Sequence, residues 1–116
     1  MALRKLVEKL NKTSEELHRE DVVGFCEKLG AVPIDEITER TRMRTAGEIA
    51  STRIVPRAGA PSLEVNINDG RASMCAVFLG RRRIAGLTPG RRVIVEGMAG
   101  RQDSRLIVYN PWYQLL

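Results

Sequence analysis

Leu3, Leu6, Val7, Leu10 and Leu17 recur at intervals of three and four, with charged and polar residues between them, which places them on one stripe of a helix. Thr13-Ser14-Glu15-Glu16 reads as a capping box, in which Thr13 caps and Glu16 reaches back. The pattern therefore predicts one helix ending near Asn11–Lys12 and a second starting at Thr13; a single kinked helix satisfies the same periodicity. In the second segment Leu17, Val22, Phe25, Cys26 and Leu29 form the apolar face, Gly30 supplies the stop, and Pro33 follows.

After Thr38 the period changes. Residues 41–55 alternate loosely around Gly47, and residues 62–69 alternate strictly, with Leu63, Val65 and Ile67 on one side and Glu64, Asn66 and Asn68 on the other. Residues 72–79 are nearly all apolar, and 91–98 and 105–113 complete five predicted strands. Asn68-Asp69-Gly70 predicts a type I′ hairpin turn, Thr88-Pro89-Gly90 a type II turn, and Gly100–Ser104 the last hairpin. Pro111 interrupts the fifth strand and is expected to end or bulge it.

Three strands in a meander, a longer connection over 80–90 with room for a helical turn, and a closing hairpin have the connectivity of the OB-fold. The expectation is mainly β: a five-stranded Greek-key OB-fold barrel over residues 38–116, preceded by an α-helical extension over 1–37. Gly47 suits the bend that a long first strand needs to curl. An SH3-like barrel has a similar strand count, but the insertion between strands three and four favours OB.

The net charge of +5 hides an asymmetry: residues 1–39 carry six Lys/Arg against nine Asp/Glu, and residues 40–116 carry thirteen against five, all thirteen being arginine. A basic half points to a polyanionic partner. Cys26 and Cys75 belong to no CxxC and His18 is the lone histidine, which argues against the usual zinc sites and leaves two buried free thiols as the expectation. No apolar run of eighteen residues occurs and the N-terminus lacks the pattern of a secretory signal, so a cytoplasmic, membrane-free protein is expected. No Ser–His–Asp set and no Gly-x-x-x-x-Gly-Lys loop is present, while Asp69 and Asp103 sit in turns for backbone reasons. The chain reads as a non-enzyme with no cofactor, no metal and no small-molecule substrate.

The stretches FLGRRRIAG, PGRRVIVEG and RLIVYNPWYQL, in that order, resemble a family of small, mainly actinobacterial OB-fold proteins classed as nucleic-acid-binding. The resemblance covers residues 42–116. Its pattern is an apolar or aromatic pair, Leu-Gly, a basic pair, Ile, Gly, and finally Tyr-Asn-Pro-x-Tyr. Many members carry Trp where this chain has Phe78, so base stacking at that position is expected to be weaker. The resemblance implies nucleic-acid binding.

In an OB arrangement the strand 1–2 and 4–5 loops border the ligand cleft. Arg53 and Arg57 fall in or near the first loop, Arg101 and Arg105 flank the second, and Arg81, Arg82 and Arg83 follow strand three at the first loop's pole. Arg91 is expected at that same pole. Asn66 and Asn68 offer hydrogen bonds to bases from strand two, whereas Glu64 beside them is expected to repel phosphate; Phe78 is a further candidate, and for Trp112 sealing the barrel bottom is favoured over stacking on bases. Such a surface grips the phosphates of single-stranded DNA or RNA with little sequence selectivity. The alternative is a protein-interaction module in which Leu3, Leu10 and Leu17, at heptad spacing, pair with a second copy of the helix.

Overall fold

The computed structural model describes residues 13–116; the helix predicted over residues 3–11, and with it most of the Leu3–Leu10–Leu17 seam, lies outside them. Helix α1 (Ser14–Lys28) begins where the capping box placed it, with the Thr13 hydroxyl accepting the Glu16 amide at 3.1 Å. It ends on a Schellman-type bond pair, Gly30 N–H to Glu27 O and Ala31 N–H to Cys26 O, with Gly30 at φ +67°. A short 3-10 turn (Ile34–Glu36) leads to six strands: β1 (Arg42–Arg57), β2 (Ala60–Asn68), β3 (Ser73–Leu79), β4 (Arg92–Gln102), β5 (Arg105–Tyr109) and β6 (Trp112–Leu115).

The sheet closes on itself. The first half of β1 pairs antiparallel with β4 (Arg42 opposite Met98, Glu48 opposite Arg92) and its second half with β2 (Ile49 opposite Ile67, Arg57 opposite Ala60). β2 pairs with β3, β3 runs parallel to β5, and β5 returns to β4, so five strands form a ring. The predicted fifth strand is two strands: Asn110 takes φ +47°, Pro111 follows, and β6 continues along the same edge of β4. Asn110 also ties the ends of β3 and β5 together, donating its N–H to Val77 O and accepting the Leu79 amide on Oδ1.

Gly47 sits where β1 changes partners. A Cβ there would lie 2.7 Å from Asn68 O and 2.7 Å from Ile67 Cγ2, and the backbone oxygen has nowhere to go. Gly47→Ala is expected to cost about 2 kcal/mol by overpacking, whereas Gly24→Ala in α1, with nothing within 4 Å, is expected to gain about 0.5–1 kcal/mol. Urea unfolding of both variants checks this; equal midpoints would show that the crossing is looser than the geometry says.

Inside the ring lie Met43, Ile49, Leu63, Val65, Ile67, Met74, Ala76, Phe78, Val93, Val95 and Val108, joined by Ile34 from the 3-10 turn, Ile37 just after it, and Ile84 and Leu87 from the 80–90 connection. Helix α1 packs on the outer face of β1 and β4, burying Val22 and Cys26 against Ala46 and Ile94, while Leu17 and Leu29 stay exposed because the helix meets the sheet only over its middle. Arg92 fastens it: the guanidinium donates to Asp21 at 2.6 Å and Glu48 at 3.5 Å and lies 4.6 Å from the Phe25 ring, while His18 reaches Glu48 at 2.8 Å.

One turn differs from expectation. The β2–β3 connection is a four-residue loop, because buried Asp69 accepts the amides of Arg71, Ala72 and Ile34 and so organises a wider turn than type I′. The two-residue loops with positive φ at both positions occur elsewhere, at Ala58-Gly59 and Asp103-Ser104. Thr88-Pro89-Gly90 does form the expected turn, with Gly90 at φ +89° and Arg91 N–H bonded to Thr88 O.

Candidate nucleic-acid interface

The hairpin tips at Ala58-Gly59 and Asp103-Ser104 flank a groove of about 500 Å³ on the outer face of the ring, lined by Arg53, Arg57, Glu64, Gln102, Asp103 and Arg105 among others. Its centre is Glu64. Strict alternation aims this side chain away from the core, yet it is 1 % exposed, lying against the second small apolar layer of Cys75, Val77 and Ile107. Three arginines converge on it: Arg53 Nε donates at 3.0 Å, Arg57 Nη2 at 2.8 Å and Arg105 Nη2 at 3.4 Å. Burial pushes the Glu64 pKa up, but hydrogen bonds from Arg57 and Arg53 and the charges of Arg53 and Arg105 outweigh it and leave the carboxyl below its ordinary value. The expectation of a phosphate-repelling carboxylate is thus corrected: Glu64 is ionised, enclosed and used to hold arginines.

Arg57 is fixed twice more. Its Nη1 donates to the Tyr109 hydroxyl at 3.3 Å, its guanidinium lies 5.6 Å over the Tyr109 ring, and its buried Nε has no partner among the described residues. Tyr109 in turn donates to Gln102 Oε1 at 2.9 Å. Arg53 and Arg105 keep part of their guanidinium surface in water. The groove therefore presents pre-oriented N–H donors, which suit an anion of phosphate type.

The other candidates divide. Arg81, Arg82 and Arg83 are exposed, follow a β3 end bonded to Pro61 next to the first hairpin, and have no acidic partner among the described residues. Arg101 is likewise exposed beside the second hairpin. Arg91 is not at that pole: Gly90 and Arg91 bond to Ile49, seven residues of β1 before Pro56, which Pro61 faces, so about 20 Å of strand separates the two places. Arg91 donates instead to the Leu116 carbonyl. Asn66 and Asn68 spend amide donors on Ser51 and Ser73. Phe78 is 7 % exposed, inside the ring and edge-on to Tyr113, so it offers no face to a base. Trp112 is the reverse of its expectation: Tyr113 and Leu115 take the inward positions of β6, and Trp112 stands 50 % exposed with Arg44 5.8 Å from its ring.

Sequence reasoning missed Gln102 in the groove and Tyr109, which bonds to Arg57 and Gln102 at its edge, and misjudged Glu64. Counting the β1–β2 register back from a two-residue turn at Ala58-Gly59 finds the last, since it sets Arg53 directly opposite Glu64. Among the described residues no group of three potential metal ligands occurs, and no helix is long and apolar enough to cross a membrane.

No family model and no curated protein matches the chain. Solved structures do resemble it: RecG bound to a three-way DNA junction (TM-score 0.63, 15 % identity, 72 % of this chain and 12 % of that one), the p204 HINb domain (0.56, 14 %, 74 % and 47 %) and the OB domain of Ta0387 from Thermoplasma acidophilum (0.56, 14 %, 74 % and 86 %). The chain thus spans about an eighth and about half of the first two, and most of the third. At such identities what is shared is the fold, and the six-stranded sheet with its ring of five is an OB-type fold.

Proposed function

We propose that the ring is a Greek-key OB barrel that binds nucleic acid through its basic face, non-catalytically and with little sequence selectivity. The observation that carries this reading is the groove between the β1–β2 and β4–β5 hairpins, where Arg53, Arg57 and Arg105 are held in place by a buried carboxylate. Arg101 and Arg81–Arg83 extend positive charge around it. RecG, whose structure is similar over part of its length, is seen on a DNA junction, which supports a nucleic-acid partner. Guanidinium groups of this kind contact phosphates, which fix position and carry no sequence information.

Fluorescence anisotropy of labelled single-stranded DNA and RNA at three salt concentrations tests the reading. Binding in the range of about 10⁻⁴–10⁻⁶ M that weakens log-linearly with salt is expected. Absence of binding at the lowest salt would overturn it and turn attention to acidic proteins as partners.

A further inference from the structure

The split of the last strand has a chemical result. β5 and β6 lie end to end on one edge of β4, with Val108 opposite Ala99 and Trp112 opposite Glu96, so Tyr109 and Trp112 flank the Asn110–Pro111 step within about 10 Å of β4. Val108 and Tyr113 point into the core, which leaves Tyr109 and Trp112 on the outside. Met98, on β4 opposite Arg42, is exposed too. The three are 45 %, 50 % and 58 % exposed for Tyr109, Trp112 and Met98 respectively, an apolar stripe on an otherwise polar face.

Two features say what covers it. Each ring already has a guanidinium near it, Arg57 held on Tyr109 and the exposed Arg44 near Trp112, while the one carboxylate beside them, Glu96 across from Trp112, is paired with Arg42. It is also continuous with the groove, since the Tyr109 hydroxyl bonds both Arg57 and Gln102. Aromatic faces interleaved with cations along a path match successive unpaired bases and their phosphates; a duplex hides its base faces and has no use for the rings.

We propose that bases of a single strand leaving the arginine groove stack on Tyr109 and Trp112, with Met98 filling the space between them. This rests on the reading of the groove as a phosphate site, and it names the ligand as unpaired nucleic acid. It replaces Phe78, which is inside the ring, with Trp112, for which stacking is the less favoured expectation, and with Tyr109, which the sequence did not single out for binding.

Trp112 is the sole tryptophan, so its fluorescence reports directly on stacking. The full chain is titrated with a mixed-sequence single-stranded oligonucleotide, an abasic phosphodiester strand of equal length, and a duplex. Quenching is expected with the base-bearing strand and not with the other two. Trp112→Leu is expected to weaken the base-bearing strand about tenfold while leaving the abasic strand and the salt slope unchanged, and Trp112→Phe to recover most of the loss. Anisotropy showing tight binding of the base-bearing strand with no quenching, and no effect of Trp112→Leu, would overturn the stripe while leaving the groove intact. Failure of all three nucleic acids to bind would overturn both. If Trp112→Leu does not fold, the quenching comparison on the unsubstituted chain decides alone.

Discussion

Glu64→Gln is expected to destabilise the protein by about 3 kcal/mol at neutral pH, more than any other single polar substitution on this face. The substitution removes the one negative charge on which Arg53, Arg57 and Arg105 converge, at a side chain almost wholly shielded from solvent. Arg57 suffers most. Three-quarters of its side chain is buried, and beside the Tyr109 hydroxyl it keeps at most one neutral amide oxygen, shared with the other two arginines, in place of a charge, with Nε already unpartnered. Arg53 and Arg105 reach solvent and can rehydrate, which places the cost toward the lower end of that for breaking a buried ion pair, roughly 3–5 kcal/mol.

The pH dependence follows from the direction of the shift. The folded Glu64 pKa lies below its unfolded value, so the carboxylate contributes stability fully above the unfolded pKa of about 4.3, and the contribution is lost as pH falls through the folded value. Urea unfolding at pH 7, 4 and 3 should therefore show the difference between the unsubstituted protein and Glu64→Gln shrinking as pH drops. A gap that stays constant over that range would mean the loss comes from packing and not from charge. Arg53→Ala, at a mostly exposed partner, should cost about 1 kcal/mol or less, because most of that guanidinium is already in water.

The contrast between Glu64 and its neighbours shows where sequence pattern runs out. Period-two alternation located β2 to within two residues and put Leu63, Val65 and Ile67 on the inner face, because that face contacts one continuous core. It assigned Glu64 to the opposite, polar face correctly as well. What alternation along one strand does not contain is a second layer: the β1–β2 and β4–β5 hairpins rise over the outer face and enclose a residue that a flat sheet would leave in water. The same holds for the ends of the chain's apolar runs. Residues 105–113 read as one strand, but the left-handed Asn110 and the Pro111 beside Gly97 restart the alternation, so Trp112 faces out and Tyr113 in. A Cβ on Gly97 would lie 2.8 Å from Val108 Cγ2 and 3.6 Å from the Pro111 Cα, so the Tyr-Asn-Pro signature and its glycine serve the architecture of this corner. That signature explains a fold and by itself says nothing of a ligand. Caps and turns governed by single residues were legible: Thr13, Gly30 and Pro89-Gly90 all act where their backbone chemistry requires.

Charge reversal of Arg81, Arg82 and Arg83 to Glu is expected to lower affinity for single-stranded nucleic acid by on the order of a hundredfold at low salt, a larger loss than removal as Ala of Arg53 in the groove and Arg101 beside it. The comparison is decided by uncompensated charge. In the groove three arginines face two carboxylates, Glu64 and Asp103, so most of their charge is answered before any ligand arrives. Arg81–Arg83 have no such partner among the described residues and supply the stronger local field. The groove then orients the strand that this field attracts. If each of the three meets one phosphate, the slope of log K against log salt should become shallower by about 2, at about 0.7 per contact for a single strand. Reversal also takes the net charge from +5 to −1, two per residue, so an equal reversal elsewhere is the control. Arg19→Glu, Arg71→Glu and Arg91→Glu together reach the same net charge on exposed positions at the other end of the β1–β2 pair, and beyond a screening length of about 10 Å their effect should stay within about fivefold. Equal losses in the two triple variants would mean that the protein attracts nucleic acid by its overall charge alone, and that the arginines after β3 are a solvated rim.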